Sequence, residues 1–196
     1  RSAELGALEV EFASESEEGR VWEVRLIRSG VSKKRQYWRP EVLERALPLI
    51  DGAPVNAFKF DRSLLSHIPH PVREAVGEEG LILNRVGHIR DPWIKRLPNG
   101  EIEVWGKFVV EDEEFRRKLR NVWATDKSRM PGLSIATLLR EPKKLGWIKD
   151  KLVQIIPPIQ KVLSFDVVSF PSAGGEFVKA LADLMDEEVI QLEKLE

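Results

Sequence analysis

At 196 residues, 42% of them apolar, the chain is long enough to bury one sizeable core, so a single domain with peripheral segments is expected. Its 31 basic and 32 acidic residues leave a net charge of -1, and nothing in that balance draws it to nucleic acid or to an anionic membrane. The absence of cysteine excludes disulfides, a thiol nucleophile and thiolate metal sites. No apolar run approaches the ~20 residues of a membrane span, and residues 1–12 lack the apolar stretch of a secretory signal, so a soluble, intracellular protein is expected.

In chain order, residues 1–20 read as an N-terminal extension closing in a polar turn, and residues 21–27 alternate at period two, the pattern of a half-buried strand. Pro40 opens a short helix that Pro48 is expected to limit. Residues 51–80 read mostly as loop, broken by Phe58-Lys59-Phe60. Residues 81–89 and 101–110 read as strands joined through the turn Leu97-Pro98-Asn99-Gly100. Residues 111–120 place acids in a first turn and basic residues later, which complements a helix dipole, with Phe115, Leu119 and Val122 as the inward stripe. Residues 132–139 return as a strand, residues 140–151 form a charged insertion, and residues 152–170 are strand again with an interruption at Pro157-Pro158. From residue 176 onward Phe177, Ala180, Leu181, Leu184, Val189, Leu192 and Leu195 recur at near-helical spacing, giving an acidic amphipathic helix. The expected class is α+β: mostly antiparallel strands, a small barrel spanning residues 21–175, and a few helices around it.

Three of the strands carry residues that can make an activated hydroxyl. Polar side chains on apolar strands need partners, and His88, Ser134 and Asp166 are the residue types of a Ser-His-Asp triad. Period two puts Ser134 and Ala136 on one face of their strand, with Leu133 and Ile135 on the other. Each also has a plainer reading. Ser134 also reads as a core or barrel-lining serine bonded to a carbonyl, His88 as a structural or surface histidine at a strand end, and Asp166 as the ion-pair partner of an arginine such as Arg140 rather than of His88. The segment 132–136 approaches a Gly-x-Ser-x-Gly elbow but lacks its second glycine and the following helix. Backbone amides near Arg140, or in the turn holding Gly174 and Gly175, are candidate donors to an oxyanion. His67 and His70, with Asp61 upstream, offer a metal-ligand pair, but Pro69 and the lack of helix argue against a preformed site, and no metal or other cofactor is expected. The basic clusters at 33–35, 116–120 and 143–144 lack interleaved stacking aromatics, so they read as solvated faces.

The run Phe165-Asp166-Val167-Val168-Ser169-Phe170-Pro171-Ser172-Ala173-Gly174-Gly175 resembles the closing motif of the prohead (capsid maturation) proteases of tailed bacteriophages, which share a fold with herpesvirus assemblins. Gly132-Leu133-Ser134-Ile135 resembles their nucleophile strand and Val86-Gly87-His88-Ile89 their histidine strand. The likeness in element order runs from about residue 21 to 181, and only these three segments are specific. The resemblance implies a serine endopeptidase that trims scaffold protein and major capsid protein inside an immature phage shell in the host cytoplasm, with Ser134 as nucleophile, His88 as general base and Asp166 as third member. Assemblins use a second histidine in that third role, and some phage relatives place an acid at the position that Ser164 occupies here. Self-association, as a homodimer or higher, is a further expectation from the likeness, and neither nucleic acid nor membrane is an expected partner. Two other readings stand beside the protease: a non-catalytic capsid-assembly component of the same fold, and a metal hydrolase built on His67, His70 and Asp61.

Overall fold

The structure, a computed structural model, describes residues 12–16, 19–32, 35–57, 59–61, 64–65 and 84–168. Its largest sheet contains β1 (Phe12–Ser16), β2 (Val21–Arg28), β5 (Pro54–Asn56), β8 (Arg85–Arg96), β9 (Ile102–Val110), β10 (Gly132–Leu139) and β13 (Ile159–Val168), in the order β1-β2-β9-β8-β5-β13-β10. A second sheet runs β11 (Lys144–Ile148), β12 (Lys151–Ile155), β4 (Gln36–Trp38) and β3 (Gly30–Val31), and a small third one pairs β6 (Lys59–Asp61) with β7 (Leu64–Leu65). Two helices, α1 (Pro40–Ile50) and α2 (Glu113–Thr125), complete an α+β architecture among the described residues.

The large sheet curls until β10 touches β2, but no ladder joins its two outer strands among the described residues. It is therefore an open, curled sheet. It is also mixed: β5 runs parallel to β13, and in the second sheet β12 runs parallel to β4, while the other pairings are antiparallel. Each parallel pair joins strands far apart in the chain, which a hairpin cannot do.

The core lies on one face of the curl. Trp22, Val24 and Leu26 of β2, Val104 and Phe108 of β9, Val55, Ile135, Phe165 and Val167 are all buried, and α1 adds Val42, Leu43, Ala46 and Ile50. Burial of each large side chain contributes about 1.5–3 kcal/mol, so this cluster holds the sheet in its curl. Arg25 and Glu103 form an ion pair of 2.7 Å between the neighbouring strands β2 and β9.

Several elements differ from the sequence expectation. Residues 12–16 pair with β2 and so belong to the sheet rather than to a free extension. Helix α1 runs through Pro48: Ile50 is fully buried and the Asp51 amide donates to the Leu47 carbonyl, so packing of the last turn outweighs the one amide that proline lacks. Strand β8 does not stop at residue 89, where the expected strand ended, but runs on through Asp91-Pro92 to Arg96. Its pairing with β9 slips between Arg90 and Trp93, Asp91 takes φ 51°, and the strand resumes with Trp93 stacked on Trp105. Helix α2 begins later than expected because Asp112 is its N-cap, accepting from the Glu114 amide. The charged insertion is mostly a β-hairpin, turned at Lys149 and Asp150, both with positive φ.

Candidate functional site

His88 owes its position to a tight seam between β8 and β9. Gly87 precedes it, and a Cβ at Gly87 would collide with the Val109 carbonyl oxygen and come within 2.6 Å of the Phe108 ring. Only glycine allows this approach. At the same seam the Val86 carbonyl accepts from the amides of Glu111 and Asp112, at 2.8 and 3.2 Å, which pulls the chain leaving β9 across the start of β8. The Glu111 carboxylate then meets His88: Nδ1 and Oε1 are 2.7 Å apart. Arg85 holds the same carboxylate in a two-pronged grip, Nε donating to Oε2 and Nη2 to Oε1, each at 2.9 Å.

Burial works against the charge on Glu111, but the hydrogen bonds and charges of Arg85 and His88 outweigh it and hold the carboxyl below its usual range. An ionised carboxylate only accepts, so the proton between the two groups belongs to Nδ1, and in the neutral ring Nε2 then carries the lone pair. The His88 side chain is 22% exposed, so the ring is only partly enclosed.

Ser134 and Asp166 are direct partners across β10 and β13, and Asp166 is in turn the partner of Asn56 on β5. Direct partners in a sheet share a face, as do alternate residues of a strand. Ser134, Ser164, Asp166 and Asn56 therefore form one polar patch, with Ala136 beside it, opposite the face that carries Ile135, Phe165 and Val55. Ser164 Oγ donates to Asp166 Oδ1 at 2.7 Å. The patch is closed: Ser134 is 1% exposed, and Asp166 and Ser164 are fully buried.

His88 shares this face through its β5 partner Pro54, two residues before Asn56; beyond that pair the ladder slips, and Asn56 pairs with Arg85. Strand β5 nevertheless intervenes between β8 and β13. Among the described residues His88 is bonded to neither Ser134 nor Asp166, and three strand spacings separate β8 from β10, roughly 14 Å in a flat sheet.

Arg140 stands six residues past Ser134, about 20 Å along the strand, too far to pair with Asp166. Its amide donates to the Pro158 carbonyl, and its side chain lines a cleft of about 280 Å³ with Arg39, Arg45 and Ile159. Gly174, Gly175, His67 and His70 lie outside the described residues. Among the described residues no group of three or more His, Cys, Asp and Glu is placed to hold a metal ion, and no helix is long and apolar enough to cross a membrane.

Glu111 is the residue that sequence reasoning missed, having assigned it to the acidic first turn of the following helix. The signal was present: a carboxylate directly after the strand that hairpins back along His88, and an arginine three residues before the histidine.

No protein-family model matches the chain, and no curated protein matches it. Among solved structures the chain is similar to the bacteriophage T4 capsid assembly protease, gp21, with a TM-score of 0.48 and 14% sequence identity over 85% of this chain and 93% of that one.

Proposed function

We propose that the chain is a serine endopeptidase of the prohead-protease kind, with Ser134 as nucleophile and His88 as general base, and with scaffold and capsid proteins as substrates. The observation that carries this reading is the placement of His88, Asp166 and Ser134, from three distant segments that each resemble a protease motif, on one face of four consecutive strands of a single sheet. The chemistry would be acyl transfer. His88 Nε2 takes the Ser134 proton, the hydroxyl oxygen attacks a peptide carbonyl to give a tetrahedral adduct, and the imidazolium returns the proton to the leaving amine; water then hydrolyses the acyl-enzyme by the same route. The two strands between β8 and β10 and the burial of Ser134 mean that the reading requires the serine to be uncovered and brought within reach of His88.

That same burial favours a second reading, a non-catalytic capsid-assembly component in which Ser134, Ser164 and Asp166 are structural. A fluorophosphonate probe separates the two. Under the protease reading it labels Ser134, and labelling and scaffold cleavage both vanish in Ser134→Ala and His88→Ala proteins. Absence of label and cleavage from the unmutated chain, with co-assembly intact, establishes the second reading instead.

A further inference from the structure

We infer that Glu111, rather than Asp166, is the positioning residue for His88, and that Arg85, Glu111 and His88 form one relay that fixes the imidazole with Nδ1 protonated and Nε2 free. This rests on the reading of His88 as general base. The contact is direct, at 2.7 Å, whereas β5 stands between His88 and Asp166. The carboxylate is itself immobilised, because Arg85 occupies both of its oxygens and its backbone amide is tied to Val86. Oε1 is shared between Arg85 Nη2 and His88 Nδ1, so the arginine sets the plane in which the carboxylate meets the ring. Asp166 is engaged elsewhere, accepting from Ser164 and lying against Ser134 in the ladder. The division of labour is then clear: Glu111 holds the tautomer and balances the charge when Nε2 takes a proton, while Asp166 belongs to the serine's side of the patch.

The chain has three histidines, so their ring nitrogens can be assigned by ¹⁵N NMR in the intact protein. At about pH 9, where a histidine ring is neutral, His88 is expected to carry its proton on Nδ1. Glu111→Ala and the near-isosteric Glu111→Gln should both move it predominantly to Nε2, with the remaining amide spectrum retained, while Asp166→Asn leaves the Nδ1 signal in place. Under turnover, Glu111→Gln should lower kcat by ~10²-fold or more with little change in KM, since the wrong tautomer cannot accept the serine proton. An Nδ1 signature that survives both Glu111 substitutions, or that disappears in Asp166→Asn, overturns the assignment. Failure of the protease reading would look different: the tautomer would follow Glu111 as expected, yet the unmutated chain would neither cleave nor take up the serine probe.

Discussion

Gly87 and Val109 meet across β8 and β9 so closely that the hydrogen of a glycine is all the space accommodates. Any larger residue must push the strands apart at the point where Val86 receives the Glu111 amide and His88 meets the Glu111 side chain. Gly87→Ala is therefore expected to cost about 2 kcal/mol or more, by overpacking against backbone that cannot rotate away. Chemical denaturation measures the loss. Full stability in Gly87→Ala would show that the seam is looser than described.

The ion pair of Arg25 and Glu103 sets an acid limit on stability. Burial disfavours the Glu103 charge, but Arg25 and the Trp105 ring N–H outweigh it and hold the carboxyl below its ordinary range. A depressed folded value means that the contribution is complete above the unfolded carboxylate range, near pH ~4.3, and is lost as pH falls through the folded value. Melting temperature should accordingly drop below about pH 4, and Glu103→Gln should flatten that limb. Arg25→Ala takes its ion-pair partner from a buried carboxylate, leaving it the Trp105 ring N–H, and should cost about 3 kcal/mol at neutral pH. An acid limb unchanged in Glu103→Gln would contradict this account.

Stability and chemistry should separate in the buried patch. Asp166→Ala deprives the Ser164 hydroxyl of its acceptor and should destabilise by about 1–3 kcal/mol. Ser134→Ala removes one buried hydroxyl and its hydrogen bonding, and should cost about 1 kcal/mol while abolishing any probe labelling. Thermal melts alongside labelling give both readouts on the same samples.

On the hairpin, Trp147 and Leu145 are 71% and 68% exposed, and both project from the same face of β11. They add little to the fold as described, so a Leu145→Ser, Trp147→Ser protein should melt within about 0.5 kcal/mol of the parent. A larger loss would mean that these side chains are covered in solution, and sedimentation at rising concentration would show whether a second copy covers them.

Much of the fold was legible from local pattern. Alternation along residues 21–27 and 132–139, and the Leu97-to-Gly100 turn between β8 and β9, predicted strands that the structure contains, because side-chain period is a property of the strand itself. Pro48 and Asp91-Pro92 misled for a shared reason. Local propensity argues for a break at each, but burial of Ile50 and the stacking of Trp93 on Trp105 carry the chain through. The hairpin at 144–155 was hidden by its lysines, which face solvent and mask the alternation beneath.

For the candidate site, the sequence by itself determined which residues have the right chemistry: His88, Ser134 and Asp166 on apolar strands, with the polar face of each strand set by its period of two. Only the tertiary structure decided who meets whom. Strand order is fixed by how the whole sheet buries its apolar face, and that order slips β5 between β8 and β13 while the β8–β9 seam delivers Glu111 to His88. A pairing made across strands leaves no mark on either strand's own periodicity, so the carboxylate after β9 and the arginine before His88 stood in the sequence, but their meeting at the imidazole was decided in three dimensions.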